Sequence, residues 1–269
     1  MKYLFVCAHP DDLEYGCANL IHYLVQKNRI VEILCLTKGE FGIFDDNWTG
    51  PRLGKLRARE LYRATEILGV SRDHVHFGDM VDGFVKFTRN NVKYLQNWLI
   101  RLKPDVVFAP EAYYSYYWQR DHINSGRLAY YAITKTDQSP NHPYRALYFY
   151  NTVSPNFFWP FDDLSMGKAA FQSHRSQWWF IRWIMMFYSL DKINSHRTRT
   201  GRWKFAEKYR RIPLYKNHPP GSWIAKAMMH FIANLRPFTP PPRRYRVPNA
   251  DSPFGKKVAA LIEKHYNIK

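Results

Sequence analysis

The chain has 269 residues, 46% of them hydrophobic, which suffices for one large domain or a domain with an appended region. Its three cysteines form no CxxC pair, which argues against a structural zinc cluster, and they fall inside core-like elements as reduced thiols of an intracellular protein do. The net charge of +18 is uneven: residues 1–177 carry 21 Lys/Arg against 18 Asp/Glu, whereas residues 178–269 carry 19 against 4, so the second part calls for an anionic partner.

Met1 runs straight into a strand-like stretch with no small-residue cleavage site, so no secretory leader is expected. The nearest approach to a membrane span is residues 178–190, which is too short and contains Arg182.

The chain opens with the apolar run Tyr3-Leu4-Phe5-Val6-Cys7-Ala8, a buried strand over residues 2–8. Pro10 cannot donate to a sheet ladder and stops it. From Leu13 the apolar spacing becomes helical, over residues 13–27. His9, Asp11 and Asp12 therefore sit on a turn at the C-terminal edge of a strand, where ligands bind in an open α/β sheet. His9 and Asp12 offer two of the three protein ligands of an open zinc site, and Asp11 offers a general base. The competing reading makes Asp11 or Asp12 a cap for the helix that follows.

Helices and strands then alternate. A strand is predicted at 31–37, a glycine-bearing loop from Lys38, a helix at 53–68 closed by Gly69, and a short strand at 75–77. A helix follows at 90–102, a strand at 105–109, a helix at 123–134 and a strand at 146–150. This order predicts an α/β fold: a Rossmann-like, mostly parallel sheet with helices on both faces and the strand-end loops gathered on one edge. The loop after the fourth strand runs through five consecutive positions rich in tyrosine, 113–117, to Asp121 and His122 at the start of a helix. His122 alone reads as a surface or capping residue. With His9 and Asp12 at the same edge it completes a three-ligand set.

These residues resemble the LmbE-like or PIG-L-type zinc N-deacetylases. The resemblance rests on AHPDDLE at 8–14, TKGEFG at 37–42, Arg57 with Glu60, PDVV at 104–107, Asp121-His122, and Lys168, Ala169, Ala170, His174, Ser176 and Gln177. It covers residues 2–177. It implies a single Zn2+ and hydrolysis of an N-acyl group, usually acetyl, from an amino sugar or its lipid-, phosphate- or nucleotide-linked conjugate. It also implies His9, Asp12 and His122 as zinc ligands, Asp11 as general base, Arg57 and Asp82 as substrate contacts, and Asp121 as the carboxylate beside the last ligand. One departure stands out: Gln119 occupies the place of a family histidine. Gln119 donates a hydrogen bond but carries no proton at neutral pH, so His174 or one of the loop tyrosines is a candidate to fill in. The alternative is a deacetylase-fold binding protein with weakened catalysis.

The chain thus divides into a deacetylase core, 1–177, and a basic, aromatic-rich helical extension, 178–269. An apolar helix is expected from about 167 through 188, a second at 223–235, a stiff proline-rich linker at 237–244 and a final amphipathic helix at 253–265. The aromatics could cover the core or a subunit interface of a homo-oligomer. They also suit the headgroup boundary of an anionic membrane, consistent with a cytoplasmic protein peripheral at the inner face. Nucleic acid is the weaker partner, because no recognition motif is present.

Overall fold

The structure is a computed structural model. It describes residues 1–43, 49–78, 80–117, 119–134, 144–197, 204–214 and 222–234, with isolated positions beyond 250. The proline-rich linker lies outside the described residues, as does nearly all of the helix expected at 253–265.

Five parallel strands form the body of the sheet: β1 (Lys2–Cys7), β2 (Ile30–Cys35), β3 (Val75–Phe77), β4 (Val106–Pro110) and β5 (Ala146–Tyr150). Two further strands, β6 (Phe157–Phe161) and β7 (Phe205–Ile212), extend it antiparallel, giving the order β3-β2-β1-β4-β5-β7-β6. The chain winds outward from β1 in both directions, so the sheet has a topological switch point between β1 and β4.

The alternation along β1 explains the layering. Phe5 and Cys7 point to a core shared with α2 (Ala18–Gln26) and α3 (Pro51–Ile67), through Leu20, Ile21, Leu61 and Ala64. Leu4 and Val6 point to the other face, where α4 (Arg89–Leu102) and α5 (Arg120–Thr134) contribute Leu95, Leu99, Leu128 and Ala132. All three cysteines are free and buried.

Three expectations need correction. The helix predicted over 13–27 is two pieces, α1 (Asp12–Gly16) and α2, separated at Cys17. The chain turns there because the backbone and side-chain nitrogens of Asn19 and the backbone nitrogen of Leu20 all donate to the buried carboxylate of Glu207 on β7. The apolar helix expected to run on from 167 is likewise broken: α6 (Ser165–Phe171) ends before a 3-10 turn at Arg175–Gln177, and α7 (Trp178–Arg197) starts afresh. Ser176 pulls the chain aside, donating through its backbone N and its Oγ to Glu60 at 2.8 and 2.6 Å. Finally, the basic extension expected to be helical contains a strand, β7, between β5 and β6. Its Glu207 and Arg210 are buried, so charge that reads as solvated is paired inside. A last described helix, α8 (Trp223–Asn234), packs toward α5.

Candidate metal and catalytic site

The turn after β1 is built around Asp12, the first residue of α1. Its Oδ2 accepts the backbone N–H groups of Ala8 and His9, each at 2.9 Å. That leaves Oδ1 facing His122 Nε2, at 2.7 Å. Asp11 occupies the N-cap position of α1 but makes no side-chain cap bond, so neither aspartate serves as an ordinary helix cap. Asp11 is also in the left-handed region, with φ +104°. Arg57 on α3 holds it there, donating from Nη2 to Asp11 Oδ2 at 2.9 Å and to the Pro10 carbonyl at 2.6 Å. Arg57 Nη1 donates to the Gly39 carbonyl at 3.1 Å. A Cβ at Gly39 or Gly42 would overlap the guanidinium, which explains both glycines of the 37–42 loop.

His122 lies in the first turn of α5, on the far side of the switch point from His9, and the two imidazoles meet at 4.9 Å between ring centroids. Candidate ligand atoms of His9, Asp12 and His122 all lie within 4.8 Å of one another. A second such group, His9, Asp82 and Asp121, shares His9. His9 Nε2 is 3.0 Å from Asp82 Oδ1 and 3.3 Å from Asp121 Oδ2. Both carboxylates are anchored from behind: Asp121 accepts from the backbone N–H groups of Gly83 and Val85, Asp82 from that of Phe41.

Burial and charge pull against each other here. Burial disfavours a charge on His9, but Asp82, Asp12 and Asp121 override it and push the ring well above its ordinary value. Burial would raise Asp12, yet His122 and His9 hold its carboxyl below the usual carboxylate range. Asp11 goes the other way: burial raises it, and Arg57 only partly offsets this.

Two imidazoles and a carboxylate are the donor set of an open zinc site, and this set fits one. His122 Nδ1 is buried and has no hydrogen-bond partner in the structure, so the ring's bonding capacity is not exhausted by the protein. Four carboxylates, Asp11, Asp12, Asp82 and Asp121, converge with one permanent cation, Arg57, which favours a further positive charge.

Two adjoining cavities open at these groups. One, of about 170 Å³, is lined by His9, Asp11, Arg57, Asp82, Gln119 and His122, among others. The other, of about 310 Å³, shares Asp11, Asp12, Tyr117 and His122 and continues along an apolar wall that includes Phe171, Ile181 and Ile184. His174 lines neither. It is fully buried, with Nε2 at 3.0 Å from Glu14 Oε1. Tyr117 lines both and packs edge-on against the His122 ring at 4.6 Å. The sequence marks its loop but not which of the tyrosines turns inward. Gln177, at the end of the His-x-Ser-Gln segment, also reaches the smaller cavity.

A family model described as GlcNAc-PI de-N-acetylase (PIG-L) matches residues 4–133, the span from β1 through α5 that carries every candidate ligand above. Over residues 4–133 the chain is similar to a PIG-L-type domain. Diacetylchitobiose deacetylase of Thermococcus kodakarensis is 29% identical over 234 residues, covering 79% of this chain and 83% of that protein. The solved structure of N,N'-diacetylchitobiose deacetylase from Pyrococcus horikoshii, complexed with its inhibitor MPG, superposes with a TM-score of 0.68 at 28% identity over 81% of this chain and 86% of that one. GalB, a 4-carboxy-2-hydroxymuconate hydratase from Pseudomonas putida KT2440, superposes with a TM-score of 0.63 over 82% of this chain and 100% of that one, at 20% identity, a likeness of fold alone. The matched span thus carries β1 to β4 with the helices up to α5, and the chain beyond it adds the fifth parallel strand β5, the antiparallel strands and helices α6, α7 and α8.

Proposed function

We propose that the protein is a zinc-dependent N-deacetylase that removes an acyl group, most simply acetyl, from an N-acylated amino sugar or its conjugate. The observation that carries this is the placement of Asp11, free of the ligand set, on the same cavity wall as Asp12 and His122. The likeness to diacetylchitobiose deacetylase supports the sugar class. His9, Asp12 and His122 would hold the zinc, which supplies a Lewis acid for the amide oxygen and lowers the pKa of a bound water to about 7.

The remaining chemistry belongs to the chain. Asp11 takes a proton from the attacking water as its oxygen bonds to the amide carbon. Burial raises its carboxyl and makes it the stronger base, while Arg57 keeps it ionised and oriented. As the C–N bond breaks, Asp11 returns that proton to the departing amine nitrogen, leaving an amine and a carboxylic acid. Gln119 borders the smaller cavity and cannot carry a proton, so the return falls to Asp11. Burial pushes the Tyr117 hydroxyl well up, so it stays a donor at neutral pH and can bond the oxygen that gains charge. Asp82 and Asp121 fix the His9 ring from behind.

Elemental analysis of wild type purified without chelator, run beside acetate release from N-acetylglucosamine compounds in free, nucleotide-linked and lipid-linked form, tests the reading. About one zinc per chain and acetate from one class are expected. Protein devoid of metal would overturn it. Tyr117→Phe, which removes only the hydroxyl, is expected to lower kcat by about 10²-fold with the zinc content unchanged. Wild-type turnover in that variant would remove Tyr117 from the reaction.

A further inference from the structure

The solvent side of α7 is apolar. Trp178, Trp183, Met186, Phe187 and Leu190 are between 43% and 62% exposed, and positions 183, 186, 187 and 190 recur on one face of the helix. Helix α8 repeats the pattern, with Trp223 78% and Phe231 66% exposed. A soluble surface rarely gathers large apolar groups in this way, and such a face marks an interaction site.

The face is tied to the catalytic cavity. Ile181 and Ile184 form part of the cavity wall, and Phe187 belongs both to that wall and to the exposed stripe. The apolar end of the cavity therefore borders the exposed face of α7.

The helix adds an exposed cation beside the stripe, and the sequence from it onward is strongly basic. Arg182 is exposed, with its guanidinium 5.4 Å from the Trp183 ring. Asp191, the one acidic residue of α7, is engaged by Lys192 and Lys208. Residues 178–269 carry 19 Lys/Arg against 4 Asp/Glu. Among the described residues no helix is long and apolar enough to cross a membrane. An aromatic and aliphatic stripe with an exposed arginine, on a helix that cannot span and within a strongly basic part of the sequence, suits the headgroup boundary of an anionic bilayer.

We propose that the exposed face of α7 docks the protein on an anionic lipid bilayer, bringing the apolar end of the catalytic cavity to the membrane surface. Docking is independent of the deacetylase reading, and binding to vesicles tests it with no turnover involved.

The full-length protein is sedimented with phosphatidylcholine vesicles with and without phosphatidylglycerol. Wild type is expected to pellet with the anionic vesicles, less with the neutral ones, and to be released as NaCl is raised. The triple variant Trp183→Ser, Met186→Ser, Leu190→Ser changes three exposed side chains that do not line the cavity. It is expected to bind at least about tenfold more weakly with an unchanged melting temperature. Tryptophan fluorescence of wild type is expected to be quenched by lipids brominated near the headgroup, a readout that needs no variant. Wild type left in the supernatant with anionic vesicles overturns the proposal, as does a triple variant that binds as wild type does. A wild-type dimer in light scattering that the triple variant converts to monomer also overturns it, assigning the face to a second copy of the chain.

Discussion

Asp11→Asn is expected to lower acetate release by about 10²–10⁴-fold, the range a general acid–base group contributes, while zinc content stays that of wild type. The substitution is nearly isosteric, and asparagine tolerates the left-handed backbone that Asp11 adopts at φ +104°. Its side-chain oxygen can still accept from Arg57 Nη2, so the turn that carries Asp12 and His9 keeps its shape. What is lost is the capacity to take a proton from water and return it to the amine. Because Asp11 stands outside the group His9, Asp12 and His122, the ligand set is intact in the variant. Turnover near that of wild type would refute the assignment of Asp11 as base. Loss of the metal would refute its separation from the ligands.

Arg210→Met is expected to destabilise the fold by roughly 3–5 kcal/mol, the cost of stripping one partner from a buried ion pair. Glu111 follows β4 directly and is fully buried. Arg210 on β7 donates to its two oxygens from Nε at 2.7 Å and Nη2 at 2.5 Å, and the Tyr113 backbone N–H adds a third bond at 2.8 Å. The guanidinium also stacks over the rings of Tyr114 and Phe149, at 4.8 and 5.4 Å from their centroids. With Met at 210 the Glu111 carboxylate stays buried beside a single backbone donor. For a chain of this size a fall in Tm of about 10 °C corresponds to that loss, read by thermal denaturation. Adding Glu111→Gln should recover part of it, since the charge left unpaired is then gone. The pair also anchors the loop that leads to Tyr117 and Gln119, so the single variant should lose activity below its Tm as well. A melting temperature equal to that of wild type would show that the pair contributes nothing net.

The turn that carries the candidate ligands was legible because its signals are local. A β1 run of six residues, a proline that ends it and the helical spacing that follows place His9, Asp11 and Asp12 at a strand end without reference to the rest of the chain. The strand-edge position of His122 completed a three-ligand set, and the resemblance extended this to Arg57 and Asp82, all of which the fold gathers around the two cavities. Gln119 could be seen to depart from the family, but not what stands beside it. Which loop tyrosine faces His122 depends on how residues 111–119 are folded back, and that is set by Glu111 and Arg210, 99 residues apart.

Periodicity and punctuation therefore determined the α/β order, the parallel sheet and the position of the ligand turn. Tertiary structure alone decided that a basic stretch near the end becomes β7, that a helix breaks at Cys17, that His174 turns inward to Glu14 and that Tyr117 turns to the site. The physical reason is common to the first three. A buried charge or a ring is stable only with its partner, and here each partner lies far along the chain: Glu207 with Asn19, Arg210 with Glu111, His174 with Glu14. A sequence window sees such a residue as exposed and charged until the fold supplies what neutralises it.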